Sequence, residues 1–355
     1  MSSTTPTTAT PTAAASPGVA TPAVSRQVVL AARPVGEPTP ADFALVEVAA
    51  PEPGPGQVVV RNTWMSVDPY MRGRMDAAPS YIAPFEVGAP LEGSAVGEVV
   101  ASASPDVPVG ATAVHFAGWR DHALLDAAEA TAVDVRDVPA RAHLGPLGTT
   151  GLTAWVALTE IAPVRPGDVV WVSAAAGAVG SVAGQVARHL GASLVIGSAA
   201  GPRKVAALTE RFGYDVALDR TAGDLPGQLA AAAPEGIDVY LDSVGGDHLE
   251  AAIGALRTGG RVAIVGAIGE YNATAPVPGP TNLYWVAKKE LTVRGMLVPS
   301  HLGRLPEWVE RASGWLADGT LRTEETVVDG LERAPQALAD LLRGANLGKM
   351  LVRLT

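Results

Sequence analysis

The sequence predicts an α/β protein of two units, a mostly β first domain and a doubly wound parallel sheet. Its texture changes near residue 148. Before that point short apolar runs are broken by Pro and Gly; after it, six apolar strands alternate with helical patterns. A strand, a small-residue turn and a helix follow one another across 168–191, the unit from which such sheets are assembled. The 355 residues, 48% hydrophobic and 17% charged, suffice for about two domains of roughly 150 residues each.

Residues 1–24 are mostly Thr, Ala, Pro and Ser, with neither a basic start nor an apolar centre. They read as a disordered tail and not as a signal peptide. In 25–147, expected strands are Gln57–Asn62, Glu98–Ala101 and Thr112–Phe116, with a rigid turn at Pro51–Gly56. In 148–320 the expected strands are Asp168–Ser173, Ser193–Gly197, Asp215–Asp219, Asp238–Asp242, Arg261–Gly266 and Leu291–Leu297. Helical patterns separate most of them, as at Lys204–Phe212 and His248–Leu256, and an amphipathic helix follows at Leu305–Leu316. The last stretch, 321–355, carries a strand near Glu325–Val328, a helix at Ala334–Arg343 and a strand at Lys349–Leu354, and is expected to complete the first domain.

Several function classes are excluded. A formal net charge of −10 argues against nucleic acid or an anionic membrane as partner, so any anionic ligand must be held by local donors. The absence of cysteine removes disulfides, thiol nucleophiles and thiolate metal sites. The histidines show no metal-ligand spacing, so no metal is expected. No apolar run approaches the ~18–20 residues of a membrane span, and a soluble, cytoplasmic protein is expected. Without a Gly-x-Ser-x-Gly elbow, hydrolase chemistry is not indicated.

The turn carries the chemistry. Against Gly-x-Gly-x-x-Gly it reads Ala175-Ala-Gly-Ala-Val-Gly180, with alanine for the first glycine. Gly177 permits close backbone approach, and Gly180 permits tight helix–sheet packing. In the helix, Val179, Val182, Ala183, Val186, Ala187 and Leu190 share one face. Its N-terminus offers unpaired N–H groups and a favourable dipole to a dinucleotide pyrophosphate. Selection of NAD needs an acid about 20 residues beyond the turn. The second strand instead runs into Ala199-Ala-Gly-Pro-Arg-Lys204, with no acid and two cations, and Arg220 follows the third strand. Those cations suit a ribose 2′-phosphate, which favours NADPH over NADH.

Further signatures occur in order with this turn: Ser66-Val-Asp-Pro-Tyr-Met-Arg72, Gly151-Leu-Thr-Ala154, Ala174-Ala-Ala-Gly-Ala-Val-Gly180, Val244-Gly-Gly246, Gly266-Ala-Ile-Gly-Glu-Tyr-Asn272 and Asn346-Leu-Gly-Lys349. With them the chain resembles the zinc-independent medium-chain dehydrogenase/reductases, in the branch of prostaglandin reductase (leukotriene B4 12-hydroxydehydrogenase) and 2-alkenal reductase. The resemblance runs from Arg26 to Thr355. It implies a GroES-like catalytic domain, a Rossmann-type NADP(H)-binding domain and a homodimer. It places the pyrophosphate at Gly177, Ala178, Val179, Gly180 and Ser181, and the 2′-phosphate at Lys204. Val265, Gly266, Ala267, Ile268 and Tyr271 would line the nicotinamide ribose side, with Met296, Leu297, Val298 and Asn346 also touching cofactor. Ser243 stands where relatives carry asparagine, Thr149-Thr150 where they often carry Met-Pro, and Gly201 where they carry a serine. Arg220 replaces a tyrosine that helps hold the 2′-phosphate.

The implied activity is reduction of the carbon–carbon double bond of an enal or enone, by hydride transfer to the β-carbon. Tyr271 would hydrogen-bond the carbonyl oxygen and Tyr70 would line the same cleft. Asp68 starts a turn before Pro69, Arg72 reads as an ion-pair partner and His248 as a helix-start residue. Two alternatives stand beside this expectation: a quinone reductase of the same superfamily, and a non-catalytic NADPH-binding protein.

Overall fold

The computed structural model describes residues 23–354. The expected tail, 1–24, lies outside the described residues except for Ala23 and Val24, and Val24 already opens a strand. The first part of the chain forms β1 (Val24–Leu30), β2 (Phe43–Ala49), β3 (Gln57–Ser66), α1 (Tyr70–Arg74), β4 (Ala95–Ser102), β5 (Thr112–His115), β6 (His122–Asp126), β7 (Thr131–Ala132) and α2 (Thr149–Val156). Then come β8 (Val169–Val172), α3 (Ala178–His189), β9 (Leu194–Ala199), α4 (Pro202–Glu210), β10 (Val216–Asp219), α5 (Leu225–Ala232) and β11 (Ile237–Asp242). The chain ends with α6 (Gly246–Ala255), β12 (Leu256–Ile264), α7 (Tyr284–Lys288), β13 (Thr292–Gly295), α8 (Leu305–Ala317), β14 (Glu325–Asp329), α9 (Ala334–Leu342) and β15 (Lys349–Arg353).

β8 to β13 make a six-stranded sheet in the order β10-β9-β8-β11-β12-β13, every pair parallel. This is the 3-2-1-4-5-6 order of dinucleotide-binding sheets, whose ligand crevice opens where the order reverses, here between β8 and β11. Helices cover both faces, so central strands are buried throughout, as in Val169–Val172. Each expected strand of this sheet is present. β12 begins at Leu256 instead of Arg261: Leu256 pairs with Ile237, and an irregularity then carries the strand past Gly259, whose φ is +76°.

The second sheet has seven strands in the order β14-β15-β3-β4-β5-β7, with β6 also on β3, and β1 and β2 form a separate hairpin. β3 runs to Ser66, beyond the expected Asn62, because a register shift against β4 between Asn62 and Trp64 absorbs the polar residues there. The C-terminal strands join this sheet through β15, antiparallel to β3. The chain is pinned on its way there by Gln185 of α3, whose side chain donates to Arg322 O and accepts from Arg322 N–H, both at 2.8 Å.

Helix α3 is buried on more than one face. Val182, Ala183, Val186 and Ala187 pack on the sheet, and Gly184 and Gln185 are buried as well. A Cβ at Gly184 would lie 2.4 Å from Cζ of Tyr214, whose hydroxyl donates to Gly180 O at 2.6 Å. Among the described residues, no helix is long and apolar enough to cross a membrane.

His115, at the end of β5, is buried beside Asn62. Its Nδ1 accepts from Ala117 N–H at 3.0 Å, so Nε2 carries the proton and donates to Asn62 Oδ1 at 2.8 Å. Burial, with the Arg120 guanidinium nearby, pushes its pKa from 6.5 to about 3. The folded chain therefore binds fewer protons than the unfolded chain between these values. The stability due to neutral His115 is present above pH 6.5 and is lost as pH falls toward 3. Urea unfolding across this range should show a loss on the order of a few kcal/mol that His115→Gln lacks; parallel curves for the two proteins would refute it.

Candidate active site

A cleft of about 580 Å³ lies at the carboxyl ends of the parallel strands and is closed on its other side by α1, α9 and β15 of the second sheet's layer. One end of it is built on the turn after β8. Ala174 sits there at φ +45°, a strained conformation for a residue with a Cβ. The turn is held by Gly177 N–H to Ala174 O at 2.9 Å and Ala175 N–H to Ser198 O at 3.0 Å. A Cβ at Gly180 would lie 2.5 Å from both Ala174 O and Ala175 Cα, so only glycine lets α3 start this close to the strand. The N–H groups of Ala178, Val179 and Gly180 open the helix at the cleft, whereas Ser181 N–H already donates to Gly177 O.

No acid ends β9. Instead Lys204 lines the cleft with Arg220, and its Nζ donates to Gly344 O at 2.6 Å. Burial and the repulsion of Arg220 and Arg203 lower its pKa. The carboxylate of Asp219, beside Arg220, is occupied by Gly201 N–H, Thr221 N–H and the Thr221 hydroxyl. An anion is what this cation cluster lacks.

The loops after β11 and β12 form the middle of the cleft, zipped together by backbone bonds. Val265 N–H donates to Asp242 O at 2.8 Å, Ile268 N–H to Ser243 O at 3.0 Å, and Gly269 N–H to Val244 O at 3.1 Å. The buried Asp242 carboxylate fixes the first loop, accepting from Val244 N–H, Gly245 N–H and the Tyr240 hydroxyl. Val265, Gly266, Ile268, Ser243, Met296, Leu297, Val298 and Asn346 all line the cleft. Asn346 also donates to Gly348 O at 2.7 Å.

Both expected tyrosines line the cleft. Tyr271 Oη accepts from Ala267 N–H at 3.3 Å, which leaves its own proton for donation. Tyr70 opens α1, stacks on Phe116 at 6.4 Å and has a buried hydroxyl without a partner. Burial and the Asp68 carboxylate push its pKa well above the ordinary range, so it stays a protonated donor.

Ser181 and Ala267 do not line the cleft: the Ser181 hydroxyl turns back to Ala178 O, and Ala267 contributes through its N–H to Tyr271. Arg72 pairs with Asp76 at 2.8 Å, and His248 is buried against Trp171. Sequence reasoning missed Tyr81, Asn272 and Ser198, which line the cleft, and gave no role to Lys349, which forms an ion pair with Asp68 at its floor. Asp68, read as a turn residue only, is thus also a charged partner. A lysine at the end of Asn346-Leu-Gly-Lys349 and an acid before Pro69 were the available signals.

NADPH fits these residues, given the glycine-cleared helix start, the missing acid and the unneutralised cations. Among the described residues, no group of three or more His, Cys, Asp or Glu is placed to hold a metal ion.

The comparisons agree. Residues 26–133 match the family described as N-terminal domain of oxidoreductase, and 178–316 match zinc-binding dehydrogenase. The chain is 37% identical over 334 residues to the NADPH-dependent curcumin reductase of Escherichia coli K12, covering 93% of this chain and 96% of that protein. It is 34% identical over 335 residues to the tobacco (Nicotiana tabacum) NADP(+)-dependent 2-alkenal reductase, covering 92% and 97%. The solved structure of CurA from Vibrio vulnificus in complex with NADPH superposes with a TM-score of 0.89 at 37% identity, covering 93% of this chain and 99% of that one. The chain therefore belongs to the zinc-independent medium-chain dehydrogenase/reductases and is an NADPH-dependent oxidoreductase of that family.

Proposed function

We propose that this protein reduces the carbon–carbon double bond of α,β-unsaturated aldehydes and ketones. The observation that carries the reading is that two tyrosines, Tyr70 and Tyr271, line one cleft beside the loops that follow β11 and β12. The first-turn N–H groups of α3 hold the pyrophosphate, and Lys204 with Arg220 holds the 2′-phosphate. When bound, NADPH supplies the hydride taken up by the substrate's β-carbon.

The protein's own contribution is orientation and charge stabilisation. Reduction at the β-carbon places negative charge on the carbonyl oxygen, and a fixed donor there stabilises the enolate. Tyr271 serves as that donor, because the backbone N–H of Ala267 fixes its oxygen while leaving its proton to give. Tyr70, held protonated chiefly by burial, lines the same cleft, and its buried hydroxyl has no partner of its own. The proton that completes the α-carbon comes from solvent or a cleft tyrosine.

We also infer a homodimer. β13 is the edge of the six-stranded sheet and is exposed along its length, and Leu283, Tyr284 and Trp285 beside it are exposed apolar residues. Pairing two such edges about a two-fold axis satisfies their backbone groups and covers these side chains.

Four outcomes test these readings. Tyr271→Phe should lower kcat for a 2-alkenal by ~10²–10³-fold, followed by loss of NADPH absorbance, with NADPH affinity retained; an unchanged kcat removes Tyr271 as enolate donor. Lys204→Ala should weaken NADPH binding by roughly 10–100-fold and leave NADH binding unaltered, whereas equal losses for both cofactors would break the phosphate assignment. Light scattering should give twice the chain mass, and a monomer mass independent of concentration would end the dimer proposal. Quinones run in the same assay must turn over more slowly than alkenals.

A further inference from the structure

The proposed chemistry leaves one buried group without a task. Lys349 is 4% exposed at the cleft floor. Its Nζ donates to Asp68 Oδ1 at 2.9 Å, Val67 O at 3.0 Å and Met350 O at 3.1 Å, so all three of its protons are placed. The other carboxylate oxygen of Asp68 accepts from the Ser66 hydroxyl. The carbonyl of Asp68 accepts from Met71 N–H at 3.1 Å, closing the turn through Pro69 that launches α1 with Tyr70 as its first residue.

One residue before Lys349, the N–H of Gly348 donates to Ala176 O at 2.8 Å, in the turn ahead of α3. Consecutive residues of one segment thus touch the pyrophosphate turn and the tyrosine-bearing turn. Desolvating an ammonium and a carboxylate makes such a pair a poor source of net stability, so its place here is better explained by what it orients. We propose that Lys349 is a positioning residue: through Asp68 it sets the Tyr70 hydroxyl at a fixed place relative to the cofactor turn. The proposal rests on the reading of Tyr70 as a substrate-facing donor.

The test is a double-mutant cycle on kcat and KM for a 2-alkenal, with NADPH Kd measured alongside, in wild type, Tyr70→Phe, Lys349→Met and the two combined. Lys349→Met is expected to lower kcat on the order of 10²-fold, to leave NADPH binding in place, and to add nothing further in the Tyr70→Phe background. A wild-type kcat for Lys349→Met, or losses that multiply in full, overturns the proposal, because the lysine then does not act through Tyr70. If instead Tyr70→Phe alone keeps wild-type kcat, the reading of Tyr70 itself has failed, and this proposal with it. Should Lys349→Met not fold, Lys349→Met combined with Asp68→Asn takes its place in the cycle, since it leaves neither charge unpaired. Failure of both to fold makes the pair a determinant of folding and overturns the positioning role.

Discussion

The site depends on one backbone contact between the two layers, the hydrogen bond from Gly348 N–H to Ala176 O. Gly348 makes it at φ +67°, and a Cβ there would lie 1.8 Å from Glu324 O, so no other residue brings the returning chain this close. The contact works because the chain crosses between the sheets twice. Gln185 grips Arg322 where the chain leaves the parallel-sheet layer, and Lys204 holds Gly344 just before it enters β15. The proposed phosphate and substrate ends of the cleft are therefore parts of one framework, although they belong to different sheets.

Local electrostatics then oppose the charge of the whole molecule. At −10 the chain repels anions at long range. At the cleft, Lys204 is repelled by Arg220 and by neighbouring Arg203, and Asp219 is engaged by its own turn. An anion entering there relieves that repulsion, and the pull is short-ranged because mobile ions screen it beyond about 10 Å. Affinity for a phosphorylated ribose thus needs no basic protein, only an acid-free end to β9.

Legibility followed range. The central strands of the parallel sheet were readable because both faces are buried, so Val169–Val172 appears as a plain apolar run and Val239–Leu241 as a short one. The β1–β2 hairpin was not, since Phe43–Ala49 is largely exposed and its partner lies across a Pro-rich loop. Gly177 to Gly180 and Lys204 line the cleft, and they stood out in the sequence because turn chemistry and the missing acid are local. Spacing could not say which way a residue faces, and so Ser181, one turn into α3, was grouped with residues whose N–H groups open the helix. Nor could it reveal that Lys349 meets Asp68 across a separation of 281 residues, a contact made by the crossing chain and not by any motif.

That contact bears on the chemistry as well as on the geometry. Asp68 lines a cleft in which negative charge develops during the proposed reduction. A lone carboxylate there would raise the energy of an enolate, most of all in a site shielded from water, where charges interact strongly. The ammonium of Lys349 at 2.9 Å turns the carboxylate into half of a dipole whose field falls off much faster with distance. The acid can therefore shape the Asp-Pro-Tyr turn and keep Tyr70 protonated without opposing the transition state. An acid kept for its shape needs a buried base beside it, and the C-terminal strand returns to the first sheet at the place where it can supply one.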